Sequence, residues 1–359
     1  MEHPSSFQMA NSDKPLALSP TQYTLPESHR PQLDRLVSHS SSIPIIDLAD
    51  YADEAIRAPA SLVHQVSRAC EQHGFFQVIN HGVPQELCAR MLDEATRIFH
   101  QPHQEKAQLL SDDPSQDAAR FSNYHLRLDN GASQDRVNMW SECFSHLWHQ
   151  TDDFTSKLPP SLGSYGEVVS EYANEMDALV GKLSSLISQG LNLKNECLKN
   201  RIGGEPRWRV QANYYPPSPD PELTLGLAVH TDPNAITVLL QSQGASGLQV
   251  IHDDKWLAVA PLPNALVVNL GDQIQVLSNG RYKSVHHRAV SSKALRVSLA
   301  VFYGPNKDTM ISPIEELVDD EHPPMYREYK MSEFLDQFVR QRGKRRMAKE
   351  IFQVQKVAE

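Results

Sequence analysis

The feature that most constrains this chain is the tripeptide His230-Thr231-Asp232, answered far downstream by His287 and then by Arg296-Val297-Ser298. In an extended strand, side chains two apart point to the same side. His230 and Asp232 can therefore reach one ion from a single short segment, while a third ligand must arrive from elsewhere. His287 sits in a separate apolar stretch beside His286. In a strand these neighbours face opposite ways, so one of the pair is a ligand. Any fold that satisfies the pattern must bring remote β segments face to face. A bare H-x-D also arises by chance, and the chain holds a second copy, His252-Asp253-Asp254. That copy lies between Leu248-Gln249-Val250-Ile251 and Trp256-Leu257, where Asp253-Asp254-Lys255 reads as a hairpin turn with solvated side chains.

Two imidazoles and one carboxylate on one face of a metal leave its other positions open, the arrangement used by non-haem Fe(II) oxygenases. Arg296 carries a planar fork that pairs both oxygens of a carboxylate. With Ser298 it could hold the carboxylate of a second small molecule. Together these residues suggest chemistry that uses iron, oxygen and a 2-oxo acid.

Composition narrows the setting. The 359 residues are 40% hydrophobic and 22% charged, normal for a globular protein with a sizeable core in one large domain or two ordinary ones. A net charge of -10 argues against a nucleic-acid footprint, which would be basic. One basic run, Arg342-Gly343-Lys344-Arg345-Arg346, reads as a solvated helix end, with nuclear targeting as the sharper alternative. Cys70, Cys88, Cys143 and Cys197 are widely separated and form no C-x-x-C pair, as expected of reduced, partly buried thiols in an intracellular protein. The N-terminus lacks a charged start followed by an apolar run, and no apolar stretch is long enough to cross a bilayer. The expectation is a cytoplasmic protein, a monomer, with no membrane or nucleic-acid partner.

The organisation divides into four parts. Residues 1–42, rich in Ser, Pro, His and Gln, read as a flexible arm that docks through Tyr23-Thr24-Leu25-Pro26. Residues 43–205 form a helix-rich region, 206–340 a β-rich core and 341–359 a tail. In the first region a β-like run begins at Ile43. A helix over Ala60–His73 places Leu62, Val63, Val66, Ala69 and Cys70 on one stripe, and a second follows from Pro84 to His100. Ser111–Gln134 is polar and reads as a surface loop. Ser164–Leu191 repeats Val168, Tyr172, Met176, Leu179, Leu183 and Leu186, the core stripe of a long helix in which Met176 is packing. From Arg209, short runs rich in Val, Ile, Leu and Thr alternate with turn residues: Val210–Tyr215, Ala235–Gln241, Leu248–Ile251, Trp256–Val259, Ala265–Leu270, Gln273–Leu277, Ser284–Val290 and Arg296–Tyr303. Such spacing suggests a double-sheeted jelly roll, with Asn279-Gly280 as a hairpin turn. A helix over Met331–Arg340 follows.

Several motifs then coincide in order: Asn213-Tyr214-Tyr215-Pro216-Pro217, His230-Thr231-Asp232-Pro233, Gly247-Leu248-Gln249-Val250, Asn269-Leu270-Gly271-Asp272-Gln273, Ser278–Val285, His287-Arg288 and Arg296-Val297-Ser298. Upstream lie Ile45-Ile46-Asp47-Leu48 and Gly74–Gly82. Over roughly residues 40–340 the chain resembles plant 2-oxoglutarate/Fe(II)-dependent dioxygenases. The resemblance implies a mainly β fold with surrounding helices, a distorted double-stranded β-helix (jelly roll). It implies His230, Asp232 and His287 as iron ligands, Arg296 and Ser298 on the distal carboxylate of 2-oxoglutarate, and Asn213 and Tyr215 beside that co-substrate. Oxygen is consumed, ascorbate serves as reductant, and succinate and carbon dioxide leave as an organic substrate is hydroxylated or desaturated.

Within the family the chain is most similar to the branch of flavone synthase I, the flavanone hydroxylases and related salicylate-hydroxylating enzymes. That branch implies a small aromatic substrate, a flavanone such as naringenin, stacked on Phe302 with Phe121, Tyr124, Phe144 and Gln211 around it. For Phe121, Tyr124 and Phe144 ordinary packing is the competing reading, as it is for Tyr215. The same chemistry on a small acid hormone (salicylate, jasmonate or gibberellin) is the alternative, and a further buried Arg or Lys in the pocket would favour it. A non-catalytic jelly-roll binding protein is the reading from a different class.

Overall fold

Apolar side chains at helical spacing in the N-terminal half become helices that pack on one another. The computed structural model of the chain describes residues 21–31, 43–51, 58–111, 119–130, 133–148, 158, 160–341 and 348–354. Strand β1 (Ile45–Asp47) precedes helix α1 (Ala60–Gln72), strand β2 (Phe75–Ile79) and helices α2 (Gln85–Phe99) and α3 (His103–Gln108). Strands β3 (Arg120–Ser122), β4 (His125–Asn130), β5 (Ser133–Asn138) and β6 (Glu142–Trp148) lead to the long α4 (Gly163–Gly190) and the short α5 (Cys197–Ile202). Helix α1 buries Leu62, Val66, Ala69 and Cys70, and α2 buries Leu87, Met91, Ala95 and Phe99. Both lie along α4, which buries Val169, Tyr172, Met176, Leu179 and Leu183. Each large apolar side chain so buried contributes roughly 1.5–3 kcal/mol.

The C-terminal half is built from β7 (Arg207–Tyr215), β8 (Leu225–His230), β9 (Ile236–Gln241), β10 (Leu248–His252), β11 (Lys255–Ala258), β12 (Leu266–Leu270), helix α6 (Asp272–Leu277), β13 (His287–Val290) and β14 (Arg296–Gly304). Short strands β15 (Met310–Ile311) and β16 (Tyr329–Lys330) and helix α7 (Met331–Arg340) follow. Among the described residues the larger sheet runs β1-β2-β12-β9-β14-β7-β6-β3 and the smaller β11-β10-β13-β8. Phe75 and Val267 of the larger sheet meet Leu248, Val250 and Leu257 of the smaller, so the two sheets share an apolar interior. The other face of the larger sheet packs on the helices through Val210, Ala212, Val238, Leu299 and Val301. The result is the double-sheeted jelly roll expected from the strand pattern, and the double-stranded β-helix that the family resemblance implies, jacketed by helices on one side.

Several local expectations are corrected. Gln273–Leu277 is part of helix α6 and not a strand. A five-residue apolar run fits either element, and periodicity alone does not separate them. Asn279-Gly280 then ends this helix and joins no hairpin. Both have positive φ, 50° and 79°. Their N–H groups bond back to Val276 and Gln275 in the pattern of a Schellman cap. The polar segment read as a loop contains β3, β4 and part of β5, which pair through backbone groups that polarity does not report. β8, which delivers His230, was not among the expected strands. The basic run Arg342–Arg346 lies outside the described residues.

The outermost described segments at either end both touch the body. Tyr23 sets its ring edge-on to Trp140 at 5.2 Å, and the Leu25 N–H donates to the Leu223 carbonyl at 2.9 Å. At the other end, Ala348 and Phe352 are buried, so 348–352 packs on the core. The four cysteines are unpaired, and burial pushes the Cys70 and Cys143 thiols above their usual range. No helix among the described residues is long and apolar enough to cross a membrane.

Lys106 of α3 is a sharp test of the packing between helices and sheet. Its ammonium donates to Glu142 Oε2 at 3.0 Å and to the Phe99 carbonyl at 2.9 Å, with both charged side chains fully buried. Lys106→Met strands the Glu142 carboxylate. The expected cost is about 3–5 kcal/mol, read by chemical denaturation. A loss no larger than the roughly 0–1 kcal/mol of an exposed pair would show that Glu142 is not held by this lysine.

Candidate metal and co-substrate site

Strands β8 and β13 run antiparallel with His230 opposite His287. The two rings lie 4.1 Å apart, and Asp232 Oδ1 is 3.7 Å from each Nε2. All three potential ligand atoms fall within 4.8 Å of one another. The remaining polar atoms are occupied. His230 Nδ1 is 2.8 Å from the Ala228 carbonyl, and His287 Nδ1 is 3.3 Å from that of Val285. Each Nδ1–H donating to backbone leaves the Nε2 lone pair for a metal. Asp232 Oδ2 accepts from Thr237 Oγ1 at 2.6 Å and Asn269 Nδ2 at 2.8 Å. Oδ1 is thereby turned toward the imidazoles. Burial pushes this carboxyl's pKa up, but the two imidazoles and the two hydrogen bonds outweigh burial and hold it below its ordinary value. An anionic carboxylate oxygen beside two imidazole nitrogens is a donor set that fits Fe(II).

His287, and not His286, completes this group. The second H-x-D behaves as its sequence suggested. His252 pairs with Lys255 across a two-residue turn in which Asp253 and Asp254 have φ of 47° and 58°. Its ring stacks on His73 at 4.3 Å, and no third ligand joins it among the described residues.

The loop that carries Asp232 is fastened by the start of α6. The Gly271, Asp272 and Gln273 N–H groups donate to the carbonyls of Ala235, Asp232 and Asn234 at 2.8, 2.8 and 3.1 Å. A Cβ on residue 271 would lie 2.0 Å from the Asn234 oxygen, so only glycine permits the approach.

A second group of residues lies on β7 and β14, which pair with Arg296 opposite Tyr215 and Ser298 opposite Asn213. Arg296 is buried, with its guanidinium 4.8 Å from the Tyr215 ring centre and NH2 donating to Gln241 Oε1 at 3.1 Å. Its Nε and NH1 are buried without partners. Orphaned guanidinium donors of this kind are what a carboxylate would satisfy. Gly247 leaves room for the side chain, since a Cβ there would come within 3.0 Å of Arg296 Cδ. These four residues fit the distal end of 2-oxoglutarate.

A cavity of about 230 Å³ opens on His230 and Asp232. Phe302, Tyr124 and Gln211 line it, and Tyr124 donates to Gln211 Oε1 at 3.1 Å. Phe121 and Phe144 do not line it. Phe121 pairs with Phe144 across β3 and β6, while their neighbours Arg120, Ser122 and Ser145 face the cavity. Strand alternation therefore sends both phenylalanines to the opposite side, where they join the helix-facing core with Phe99 and Tyr165. The sequence reading also missed the arginines Arg120, Arg207 and Arg209, all in the cavity wall. Parity offered a signal for two of them: Arg207 and Arg209 share the face of Gln211 and Asn213 on β7.

Comparison with known proteins now identifies the family. The 2OG-Fe(II) oxygenase superfamily profile matches residues 209–305, and the N-terminal profile of the non-haem dioxygenases in morphine synthesis matches residues 43–161. The chain belongs to the 2OG-Fe(II) oxygenase superfamily. This oxygenase is 42% identical over 323 residues to Protein DMR6-LIKE OXYGENASE 1 of Arabidopsis thaliana, covering 89% of each chain. It is 39% identical over 320 residues to Flavanone 3-dioxygenase 2 of Oryza sativa subsp. japonica, covering 89% of this chain and 90% of that one. Its fold is similar to the crystal structure of JOX2 in complex with 2OG, Fe, and JA, with TM-score 0.84, 34% identity and 99% of each chain covered. Fe(II) and 2-oxoglutarate are thus its cofactor and co-substrate.

The Asp232 geometry makes one quantitative expectation. Thr237→Val removes the 2.6 Å hydrogen bond to Oδ2 and frees that carboxylate oxygen to rotate. Supporting partners of metal ligands typically contribute 10- to 100-fold in affinity, so Fe(II) binding should weaken by roughly that amount. Anaerobic titration measures it, and an unchanged dissociation constant would show that Asn269 alone orients the carboxylate.

Proposed function

We propose that this oxygenase oxidises a small organic acid, with Fe(II) on His230, Asp232 and His287 and with 2-oxoglutarate on Arg296 and Ser298 beside Asn213 and Tyr215. One observation carries the choice of substrate class. The cavity beside the metal ligands is walled by Arg120, Arg207 and Arg209, while Asp232 is the only carboxylate among its described lining residues. Guanidinium groups at a partly apolar cavity favour an anionic guest, which they bind through charge-assisted, often bidentate hydrogen bonds. Arg120 is buried and Arg209 half-buried, the latter donating from NH1 to Ser145 Oγ at 3.3 Å. The cavity is also small against the roughly 300–1,000 Å³ of ligand pockets in general, which suits a compact acid.

When bound, iron and 2-oxoglutarate supply the oxidising power, with oxygen consumed and succinate and carbon dioxide released. The protein supplies placement. In this reading the arginines of the cavity wall hold the acid group, and the carbon skeleton turns toward His230 and Asp232. Phe302 offers a ring face to that skeleton, in a contact worth roughly 0.5–1.5 kcal/mol. Met331, Leu335, Phe338 and Val339 of α7 close one side with apolar surface, which excludes water from the oxidation. Similarity to JOX2, solved with JA, and to a rice dioxygenase for auxin oxidation at 27% identity and TM-score 0.68 supports the acid reading. Flavanone oxidation is the second reading, supported by the Phe302 ring in the cavity wall and by the similarity to Flavanone 3-dioxygenase 2.

The test is turnover of a panel of phenolic and alicyclic acids, each beside its methyl ester, together with naringenin, followed by mass spectrometry and succinate release. Acids should be oxidised and their esters spared. Arg209→Gln should raise the Michaelis constant for the acid roughly ten- to hundred-fold, the cost of a lost hydrogen bond to a charged group. Conversion of naringenin with the acids untouched would establish the flavanone reading instead.

The assignment of ligands has its own check. Arg296→Lys keeps the charge but loses the fork, so it should raise the Michaelis constant for 2-oxoglutarate far more than that for the organic substrate. His287→Ala should abolish turnover while His286→Ala retains most of it; the reverse would exchange their roles.

A further inference from the structure

We propose that Lys349, near the C-terminus, is a positioning residue that ties together the two segments carrying the metal ligands. The proposal rests on the assignment of His230, Asp232 and His287 to iron. Lys349 belongs to a short turn, Ala348–Phe352, whose Ala348 and Phe352 are buried. Its ammonium donates to Asp272 Oδ1 at 3.0 Å and to the Ser284 carbonyl at 3.2 Å. The lysine side chain is 8% exposed and that of Asp272 0%.

Each of those contacts leads to a different ligand. Asp272 Oδ2 accepts from Thr231 Oγ1 at 3.1 Å, and its N–H donates to the Asp232 carbonyl at 2.8 Å. The carboxylate of Asp272 thus grips the residue between His230 and Asp232. Ser284 opens the segment that ends at His287, and the Val285 carbonyl in that segment faces His287 Nδ1. One buried cation therefore joins the His230–Asp232 loop, through Asp272, to the approach to His287.

The surrounding contacts hold the lysine on target. Tyr329 OH donates to Gln273 Oε1 at 2.7 Å, and Gln273 Nε2 donates to the Pro233 carbonyl at 2.8 Å, just past Asp232. Phe352 packs on Tyr329 at 4.2 Å. A buried ion pair is a costly way to fill space, since apolar residues of similar volume often serve as well or better. What it adds is direction: an ammonium satisfied only when both loops stand in one arrangement. The two histidines come from separate strands, β8 and β13, whose pairing shifts register just after His287. A brace across that irregular pairing fixes the distance between the ligands.

The experiment uses the full chain and Co(II) as a redox-inert probe, with 2-oxoglutarate present. Lys349→Met removes the charge and keeps the bulk. Lys106→Met removes another buried ion pair that touches neither loop, and His230→Ala reports on the ligand assignment. Folding is monitored by circular dichroism. The expected result is that folded Lys349→Met binds Co(II) at least roughly tenfold more weakly, with an altered ligand-field spectrum. Lys106→Met should lose thermal stability with the Co(II) constant and spectrum unchanged. Should Lys349→Met fail to fold, Thr231→Val takes its place, because it breaks the link to Asp272 without stranding a charge and should weaken Co(II) binding in the same direction. An unchanged Co(II) constant and spectrum in the folded variant overturns the proposal, as does equal weakening in Lys106→Met, which would mean general loosening. Wild-type Co(II) binding by His230→Ala would overturn the ligand assignment itself and the proposal with it.

Discussion

The close approach of Gly271 to Asn234 is the constraint on which the site depends. The chain leaves β8 of the smaller sheet at His230, turns through Asp232 and enters the larger sheet at β9, and that turn has no regular structure of its own. It is held because α6 begins against it, offering successive N–H groups to its carbonyls. Any side chain at 271 would push α6 away. With the backbone fixed, the orientation of Asp232 follows from sheet pairing. Thr237 and Asn269 stand directly opposite each other on β9 and β12, and both donate to the same carboxylate oxygen. The metal-facing oxygen is selected by a cross-strand pair, so the geometry of the site is inherited from the register of the larger sheet.

The pairing of β7 with β14 divides the chemistry in a similar way. Trp208, Val210, Ala212 and Tyr214 go into the core, while Arg209, Gln211, Asn213 and Tyr215 share the other face. On the partner strand Phe302, Ala300, Ser298 and Arg296 stand opposite them. Phe302 lies six positions along the strand from Arg296, which at about 3.3 Å per residue is roughly 20 Å. One end of this pair meets the cavity, and the other holds the buried guanidinium suited to 2-oxoglutarate. If 2-oxoglutarate sits on Arg296 and the organic substrate against Phe302, the length of this one strand pairing limits how far apart the two can lie.

That logic also explains what could be read from the amino-acid sequence and what could not. His230, Asp232 and Arg296 were legible because each pairs a distinctive side chain with a spacing of two, and the helices α1, α2 and α4 because their apolar stripes are long. Helix α6 was misread, since Gln273–Leu277 is too short for its period to speak. Phe121 and Phe144 were placed by residue type when parity should have placed them: Arg120, Ser122 and Ser145 take the cavity face of their strands. The segment around β3 offered little, being polar and paired only through backbone. Lys349 left no trace, because its meaning depends on Asp272 and Ser284, which only the fold brings to it.

Electrostatics within the cavity runs against that of the whole molecule. The net charge is -10, so an acidic substrate approaching from solvent meets repulsion, screened beyond about 8–10 Å at physiological salt. Arg120, Arg207 and Arg209 act inside that distance and in a less polar medium, where each interaction is stronger than at the surface. On the acid reading proposed above, selection by charge would therefore be made in the cavity and not during encounter. On that reading an ionised substrate would gain charge-assisted hydrogen bonds that a neutral analogue of the same shape would not, which is how a cavity of this kind could distinguish substrates that differ by a single ionised group.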